Sequence, residues 1–579
     1  MSSKVFAGAA ALAALATLCV PASAQIRVPG TPAASLDALP GPVPTLTVPV
    51  PDVAALELED QRLDEAGVAR PVRFGVPVPV SAGLDDSGRW DVSSSGELVW
   101  RLRFHAPGAR SLGLEFSEYS MPAGAQLFVY DDQVQTVYGA YDAVQHNPDG
   151  TFVIEPFPGD TAVLEYKQPA GTTGVGAVRL QAVIYDYKDF FAMTGSANPL
   201  GSAGGSGGED GGCSVGANCP QFSSFDPQKR ATLRTIFGGG FCSASLINNT
   251  SNDGTQYVYT ANHCGQGSST VFSFNYQQSG CGAGSVPNQS VSGATFLTSN
   301  IASDGRLLRI NPTIPASFSP FFNGWNRSAT AIPSFGLSFT HPGGGFKSGS
   351  IDNNGLSKTT ISVGGISQPV QSWAVGFSTG GISGGSSGGP MFDQNERTVG
   401  AATAVNLFNC ASGFYGRFDR FWNLSNAPNF LDPGNTGAQV LDGFDPAGPP
   451  PPPPVCGASQ YGTGLGGANI GTLSTPGTPT AGQNLTLNLS GFNGNATGML
   501  IFSPTQVSTP FLGGTLLMDF NNPFQGGVLN VGITGGSGSL VLGMPNSPDL
   551  VAFGQAAVPD ASQSQGWAFS NGLQLVICP

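Results

Sequence analysis

Hydrophobic and polar residues alternate along this chain in many short runs, and few stretches show helical periodicity. In "GELVWRLRF", large apolar side chains occupy every second position from Leu98 to Phe104. "AQLFVYD" and "TAVLEYK" continue the pattern, and "NLTLNLS" repeats it near the other end of the chain. A period of two is typical of strands, and clusters of Gly, Pro, Asn and Ser separate the runs. The pattern predicts an all-β protein.

Two low-complexity segments divide the chain. "TGSANPLGSAGGSGGEDGG", at 194–212, predicts a flexible and cleavable spacer, and "AGPPPPPPV", at 447–455, predicts a stiff polyproline linker. A length of 579 residues is itself more than one ordinary domain holds. The segments leave three bodies of sequence, at 25–193, 213–446 and 456–579.

The first 24 residues have the features of an export signal. Lys4 supplies the positive end, "VFAGAAALAALATLCV" is the apolar stretch, and "PASA" predicts cleavage after Ala24. No later run is long and apolar enough to span a bilayer, so we expect a secreted chain without membrane insertion. Charged residues make up only 10% of the chain and the net charge is -14, which argues against nucleic acid as a partner.

Cysteine usage agrees with export. Removal of Cys19 with the signal leaves eight of the nine cysteines, an even number that predicts disulfides in an exported chain. A zinc site is the competing interpretation. The sequence lacks the paired Cys-x-x-Cys clusters of many zinc sites, and the whole chain has only four histidines. We therefore expect neither metal nor cofactor.

"GGISGGSSGGPMF", from Gly380 to Phe392, has two interpretations. Its composition is that of a linker, but the Gly-x-Ser-Gly-Gly-Pro run is also how a strained turn presents a serine nucleophile. A nucleophile of this kind needs a base within hydrogen-bond reach and a carboxylate to orient that base. The rest of the chain has to separate the two interpretations.

Candidates for both partners precede the serine. His263 follows a β-rich run in "YVYTANHCG", and Asp304 precedes an apolar strand in "TSNIASDGRLLRI". Taken singly, the histidine is more often structural, and a turn aspartate usually binds nearby backbone N–H groups. The order His, Asp and then Ser387, at these separations, is typical of a two-barrel serine protease and differs from the α/β-hydrolase and subtilisin orders.

Residues 208–446 resemble the secreted lysyl endopeptidases, a bacterial branch of the chymotrypsin-like superfamily. The resemblance runs through "CSASLINNTSNDGTQYVYTANHCG", "FFNGWNRS", "FTHP", "GSSGGPMF", "YGRF" and "DPGNTGAQVLDGFD". It implies a chymotrypsin-like double β-barrel with His263 as general base, Asp304 as orienting carboxylate and Ser387 as nucleophile. It also implies an oxyanion hole formed by the backbone N–H groups of Gly385 and Ser387.

The same resemblance implies three disulfides in the catalytic domain. These are Cys213 with Cys410, Cys219 with Cys281, and Cys242 with Cys264. The two remaining cysteines, Cys456 and Cys578, bracket the last body of sequence, and their pairing would join its two ends.

The primary specificity pocket departs from the family. Lysine specificity in the relatives comes from an aspartate two residues before the tyrosine of "YGR", and this chain has Gly413 there. The superfamily's other position for a pocket acid is six residues before the nucleophile, and this chain has Gly381 there. A buried lysine ammonium without a counter-ion would cost several kcal/mol. We therefore predict a neutral pocket for an apolar or small side chain.

The flanking regions also resemble parts of secreted proteins. Residues 55–190 resemble the propeptide of secreted proteases of this group, so we expect a propeptide at 25–207 with a β-sandwich at about 88–190.

In trypsin-like zymogens, activation pairs a new N-terminal ammonium with an aspartate just before the nucleophile. This mechanism is unavailable here, because the residue before the predicted nucleophile is Ser386. Residues 456–579 resemble a C-terminal β-sandwich found in various secreted bacterial proteins, where surface binding, substrate binding and export all remain open.

These observations predict a secreted, monomeric serine endopeptidase. Its expected partners are polypeptide substrates and its own pro-domain. The alternative is a secreted binding or adhesion protein that retains a protease fold, for which we would expect a missing triad residue. A metal-dependent hydrolase would need a His/Glu cluster that the sequence lacks.

Overall fold

A computed structural model of the chain describes residues 25, 28–37, 39–195, 214–287, 289–406, 409–448, 456–461, 471–504, 506–512, 514–520, 523–524, 528–547 and 550–578. The described residues fold mainly into strands with few helices, so the expected all-β class is confirmed. None of the described helices is both long and apolar enough to cross a membrane. The expected export signal and residues 196–213 and 449–455 of the two low-complexity segments lie outside the described residues.

The chain forms two compact units, at 1–448 and 449–579. The first unit begins with a sandwich of two sheets. Its strands and helices are β1 (Thr45–Thr47), α1 (Val53–Glu65), β2 (Val72–Arg73), β3 (Gly75–Gly83), β4 (Arg89–Val92), β5 (Leu98–His105), β6 (Ser111–Ser120), β7 (Gln126–Tyr130), β8 (Val137–Tyr141), β9 (Phe152–Pro158), β10 (Thr161–Gln168), β11 (Ala177–Asp186) and α2 (Phe190–Thr194).

One sheet has the order β1-β5-β10-β7-β8 with β4 beside β5, and the other has the order β3-β11-β6-β9. Trp100 and Phe104 of β5 face the core between them, as the alternation predicted. The sandwich begins N-terminal to the expected start near residue 88, because β1 pairs with β5 and β3 pairs with β11. Val99 and Arg101 on the other face of β5 are also buried.

The remainder of the first unit contains two further sheets. The elements of the first half are β12 (Val215–Gly216), α3 (Asp226–Ala231), β13 (Thr232–Phe237), β14 (Gly240–Leu246), β15 (Tyr257–Ala261), β16 (Val271–Phe274), β17 (Gln289–Ser292), β18 (Ala294–Asn300) and β19 (Gly305–Ile310). The elements of the second half are β20 (Trp325–Asn326), β21 (Gly336–Thr340), β22 (Ser348–Asp352), β23 (Ser357–Ile361), β24 (Val370–Gly376), β25 (Pro390–Phe392), β26 (Thr398–Val405), β27 (Ser412–Arg417), α4 (Phe418–Leu424), α5 (Pro428–Leu431) and β28 (Val440–Leu441).

Both sheets curl into barrels. The first has the order β17-β16-β13-β14-β15-β19-β18, and its edge strands β17 and β18 are joined by the single residue Gly293. The second runs β22-β21-β25-β26-β27-β24-β23, with β12 beside β22, and a short connection joins β22 to β23. Edge strands that are adjacent in sequence require the sheet to close on itself. The chymotrypsin-like double barrel expected from the sequence is therefore confirmed.

The second unit is also built from antiparallel strands. They are β29 (Gly457–Tyr461), β30 (Thr472–Ser474), β31 (Asn484–Ser490), β32 (Ala496–Ser503), β33 (Gln506–Phe511), β34 (Gly514–Met518), β35 (Val528–Ile533), β36 (Gly538–Gly543), β37 (Val551–Pro559), β38 (Trp567–Phe569) and β39 (Gly572–Val576). Leu485, Leu487 and Leu489 of β31 alternate into its core, as expected for a strand with one buried face.

Three disulfides join described residues. Cys219 binds Cys281 with a Cα separation of 4.3 Å, Cys242 binds Cys264 at 6.4 Å, and Cys456 binds Cys578 at 4.9 Å. Cys410 is also disulfide-bonded. Its expected partner Cys213 lies outside the described residues, so that pairing stays a prediction.

Disulfide connectivity is directly testable. Digestion of the unreduced protein is expected to release linked peptides for the three bridges above, because these Cα separations are near the range that a disulfide spans. A fourth linked pair, Cys213 with Cys410, is expected from the resemblance and from the bonded state of Cys410. Mass spectrometry before and after reduction would identify each pair. A different partner for Cys410 would contradict the pairing inferred from the resemblance.

Candidate active site

Two neighbouring strands bring His263 and Asp304 together. His263 follows the end of β15 and Asp304 precedes the start of β19, and these strands pair antiparallel with Ala261 opposite Gly305. One carboxylate oxygen of Asp304 lies 2.7 Å from His263 Nδ1, and the other accepts the His263 backbone N–H at 2.8 Å. Both side chains are almost fully buried. The carboxylate therefore fixes the orientation of the ring and favours a proton on Nδ1, which leaves Nε2 free to act as a base.

The turn that carries Ser387 is packed between the barrels. The Ser387 carbonyl accepts the Ser243 N–H at 2.7 Å, and Gly388 donates its N–H to the Ala402 carbonyl at 2.8 Å. Gly388 has a φ of 83°, and a Cβ there would lie 2.1 Å from Thr260 Oγ1. A turn held this closely is not a linker. The glycine is required both by the backbone conformation and by the approach of the first barrel.

Ser387 lies beside the strand that presents His263. Gly388 packs against the end of β15, because a Cβ on Gly388 would be 2.9 Å from the Ala261 amide nitrogen. Among the described residues, Ser387 Oγ makes no hydrogen bond to His263 Nε2 or to any other side chain. Catalytic hydrogen bonds are often long without substrate and shorten when it binds.

Two backbone amides of the same turn are free of acceptors. Neither the Gly385 nor the Ser387 N–H donates to any group in the described part of the chain. Gly385 has a φ of 87°, and a Cβ there would lie 2.8 Å from the His341 carbonyl oxygen and from the Gly344 amide nitrogen. Unpaired amides on a packed, constrained turn can accept negative charge that develops on a ligand oxygen.

Ser243 connects this turn to the first barrel through its side chain. Its hydroxyl donates to the Gly385 carbonyl at 2.9 Å and accepts the His341 N–H at 2.8 Å. Its amide is the group that binds the Ser387 carbonyl. Ser243 is fully buried, so these bonds do not compete with water. Together they hold the peptide group before Ser386 and the peptide group after Ser387.

The neighbouring loop at 340–344 adds two more bonds to the turn. Gly343 donates its N–H to the Gly384 carbonyl at 2.7 Å, and Ser386 Oγ donates to Thr340 Oγ1 at 3.1 Å. Ser386 occupies the position before the nucleophile, where trypsin-like zymogens carry an aspartate. Here a hydroxyl pair fills that position, and no charged group is needed to hold the turn.

Two buried basic side chains lie behind the turn. His341 Nδ1 is bonded to the Gly345 carbonyl at 2.9 Å, and burial holds the pKa of His341 well below its usual value. Lys347 Nζ donates to the Lys229 carbonyl at 2.6 Å. Burial, with a further contribution from the charge of Lys229, lowers the pKa of Lys347 to about 7. His341 is therefore neutral near pH 7, and its hydrogen bonds stabilise the loop.

Ile382 lies next to both glycines that are expected to line the primary pocket, and the sequence analysis did not identify it. Gly413 lies on β27, and a Cβ there would lie 2.5 Å from Ile382 Cδ1. Gly381 precedes Ile382, and its carbonyl accepts Ser350 Oγ at 2.9 Å. Neither glycine position carries charge. The sequence did offer one indication of its role, because Ile382 directly follows the predicted pocket position Gly381.

A segment of the N-terminal region lies beside the nucleophile turn. Strand β2 pairs antiparallel with the start of β14, with Val72 opposite Phe241. A Cβ on Gly384 would lie 2.9 Å from Val72 Cγ2. At the other end of the segment, Ala69 donates its N–H to the Gly364 carbonyl at 2.9 Å. The segment thus contacts both barrels next to the candidate catalytic residues.

Two β-barrels that meet at a His–Asp pair and a serine-bearing turn have the architecture of the chymotrypsin-like class. Within that class, residues 207–405 match the family model described as "Lysyl endopeptidase, C-terminal domain". The chain is 27% identical over 317 residues to the lysyl endopeptidase of Pseudomonas aeruginosa. That match covers 48% of this chain and 64% of the relative, so the chain spans less than two thirds of the relative's length. The resemblance to the lysyl endopeptidase branch is confirmed.

Solved structures give weaker similarities. The protease Rv3671c from M. tuberculosis is 14% identical, with coverage of 35% of this chain and 83% of that chain, at a TM-score of 0.26. The secreted serine protease VesC from Vibrio cholerae is 12% identical, with coverage of 60% and 69%, at a TM-score of 0.24. The serine endoprotease from Yersinia pestis is 16% identical, with coverage of 34% and 62%, at a TM-score of 0.23. TM-scores of this size support no conclusion about this chain.

The role of Ser243 gives a first test of the site. Ser243→Ala removes the hydroxyl that holds the Gly385 carbonyl, so we expect Ser387 to react about 10-fold more slowly with a fluorophosphonate. Ser245→Ala is the matched control, because Ser245 lies on the same strand and is equally buried but its hydroxyl has no partner among the described residues. Equal labelling rates in native and Ser243→Ala protein, with the fold retained, would contradict this role.

Proposed function

We propose that this chain is a secreted serine endopeptidase that hydrolyses peptide bonds through His263, Asp304 and Ser387. The observation that supports this proposal most directly is the buried Asp304–His263 pair. This pair lies beside the Ser387 turn, in which two backbone amides are unpaired among the described residues. The relatives named lysyl endopeptidase support the class of reaction. Disulfides among the described residues support an oxidising, extracellular setting.

The triad would act in two half-reactions. Ser387 Oγ attacks the peptide carbonyl while His263 Nε2 takes its proton, and the same proton then passes to the leaving amine. Asp304 holds the ring through Nδ1 and stabilises the imidazolium that forms at each transfer. Water then hydrolyses the acyl-enzyme by the same route, with His263 again as the base.

The unpaired amides would stabilise the negative charge on the reacting oxygen. Loss of a single donor of this kind lowers kcat by about 10²–10³ in serine proteases. The N–H groups of Gly385 and Ser387 can serve in this way because the carbonyls of the same two residues are already hydrogen-bonded, which holds the turn in one conformation. Ser243 binds both the Gly385 carbonyl and the Ser387 carbonyl. The turn is therefore preorganised, and the reaction does not have to reorient it.

We further propose that the primary pocket is neutral. Gly413 and Gly381 occupy the two positions where the superfamily places a pocket acid, and both lack a side chain. Ile382, which is apolar, fills the space next to Gly413. A lysine ammonium placed there would lose its hydration without gaining a counter-ion. The lysine preference in the relatives' name is therefore not assigned to this chain.

The N-terminal region is proposed to act as a pro-domain that keeps the site closed. It adds β2 to the edge of β14, which is a common way for one chain to occupy another's peptide groove. The N–H groups of Phe74 and Gly75 both donate to the Gly239 carbonyl, and the Phe74 ring stacks on Phe241 with centroids 5.7 Å apart. Both backbone pairing and apolar burial would have to be lost before a substrate could use this edge.

A buried carboxylate ties the segment to the rest of the pro-domain. Asp60 of α1 binds Arg73, Tyr187 and Lys188, and Arg70 lies 3.5 Å away. Burial alone would raise the pKa of Asp60, but the hydrogen bonds from Lys188, Tyr187 and Arg73 hold that pKa below its usual value. Asp60 therefore remains charged near neutral pH and fixes the segment against the helix.

The triad is tested by single substitutions. Ser387→Ala and His263→Ala are each expected to lower peptide hydrolysis by about 10⁴–10⁶, because triad residues act as a unit. Fluorophosphonate labelling should disappear in Ser387→Ala, and circular dichroism should show an unchanged fold. Near-native turnover by folded Ser387→Ala would contradict the assignment. A native protein that neither labels nor turns over would favour the alternative, a binding protein with a protease fold.

Closure by the pro-domain is tested in the full-length precursor. Val72→Asp would place a charge against Gly384, which costs roughly 1–3 kcal/mol and should speed labelling of Ser387 about 10-fold. Val175→Asp is the matched control, because Val175 is exposed on the same domain. A gel separates precursor from processed enzyme, so only the full-length band is scored. Equal labelling of native and Val72→Asp precursor would contradict closure by this segment.

A further inference from the structure

Ile382 occupies the space that a pocket acid would need. A Cβ on Gly413 would lie 2.5 Å from Ile382 Cδ1 and 3.2 Å from its Cγ1. Carbon atoms do not approach this closely without displacement, so an aspartate at 413 and the native Ile382 side chain exclude each other. The isoleucine is only 2% exposed, which means that its side chain is packed in this position.

The surroundings of Ile382 hold it in place. Its N–H donates to the Cys410 carbonyl at 2.9 Å. The side chain belongs to the core of the second barrel, together with Phe377 and Tyr415, whose rings meet edge to face at 6.4 Å. In a core packed this densely, a side chain cannot turn away to admit a ligand without a loss of contacts.

We infer that Ile382 forms the floor of the primary pocket and restricts the residue before the cleaved bond to a short aliphatic side chain. This inference rests on the proposed function and specifies its substrate class. An alanine or valine side chain would stop short of the floor. A phenylalanine ring or a lysine chain would meet the Ile382 methyl groups, and the lysine ammonium would also lack a counter-ion there.

The sequence of the spacer agrees with such a pocket. Between Lys188 and Lys229 the chain contains neither lysine nor arginine, whereas the spacer carries short aliphatic residues at Ala197 and Ala203. Phe191 precedes the spacer, but its side chain is buried in α2 and packs against the first barrel. An enzyme with a short, neutral pocket could therefore cut its own spacer, and a lysine-specific enzyme could not.

The test uses the processed enzyme and a series of fluorogenic peptide amides that differ only in the residue before the cleaved bond. Native enzyme is expected to prefer alanine or valine over phenylalanine and lysine. Ile382→Ala should raise the kcat/KM ratio of phenylalanine to alanine substrates by about 10-fold or more, as expected for space gained in an apolar pocket. Leu356→Ala is the matched control, because Leu356 lies in the same core cluster but does not contact Gly413.

The acid position supplies a second arm. Gly413→Asp alone should gain no lysine cleavage, because Ile382 lies in the way. Combined with Ile382→Ala, it should raise the ratio of lysine to alanine cleavage by about 100-fold or more. If Ile382→Ala does not fold, Ile382→Val serves in its place. It shortens the side chain by one carbon and should raise the kcat/KM ratio of phenylalanine to alanine substrates by a smaller factor.

Fluorophosphonate titration of Ser387 normalises every rate and separates the two hypotheses. Labelled native enzyme that prefers lysine or phenylalanine would overturn the role of Ile382 and leave the serine protease assignment intact. An Ile382→Ala enzyme that labels but keeps the native substrate preference would also overturn the role of Ile382 and leave the serine protease assignment intact. A folded native enzyme that does not label would overturn both.

Discussion

The hydrogen bond from the Ser243 amide to the Ser387 carbonyl joins the two barrels at the point where the site forms. Each barrel closes around its own core, and a further apolar cluster, with Tyr259 and Leu307 of the first barrel and Ala401 of the second, packs between them. The inter-barrel contact needs Gly388 without a side chain and Ser243 with one, since the Ser243 hydroxyl also binds the Gly385 carbonyl. A buried contact with all its polar groups paired is stiff, and that stiffness keeps the amides of the turn free for a ligand.

The strand that carries Ser243 also pairs with the N-terminal segment proposed as part of a pro-domain. Strand β14 pairs with β2 at its first residues, Gly240 and Phe241, and contacts the nucleophile turn two residues later. The proposed pro-domain would therefore need no contact with the proposed catalytic side chains to control them, because β2 pairs with the strand beside them. Asp60 fixes the inserted segment to α1, so the segment is held from both ends. In this proposal, inhibition and catalysis share one short piece of backbone, the start of β14.

Much of this arrangement could be predicted from the sequence, because it depends on local patterns. Alternation identified β5, and the order of His263, Asp304 and Ser387 indicated the two-barrel class. Contacts between distant segments could not be predicted, since no local pattern specifies them. Val99 is an example: it lies on the face of β5 opposite to the core-facing Trp100, between Asp91 of β4 and Lys167 of β10, yet it is fully buried. Asp60 is another, because its partners come from two distant parts of the chain, at 70–73 and 187–188.

The pocket shows why a shared catalytic motif does not determine specificity. The proposed catalysis depends on backbone groups and on three side chains, which the two barrels position. In our proposal, specificity depends on a space of a few atoms between Gly413 and Ile382, which either a carboxylate or an aliphatic side chain can occupy. Because the two exclude each other sterically, a change from one to the other requires two substitutions. A single aspartate at 413 would be strained against Ile382, and the loss of Ile382 alone would leave an uncharged space. The charge of the proposed pocket and its depth would therefore be coupled through this one contact.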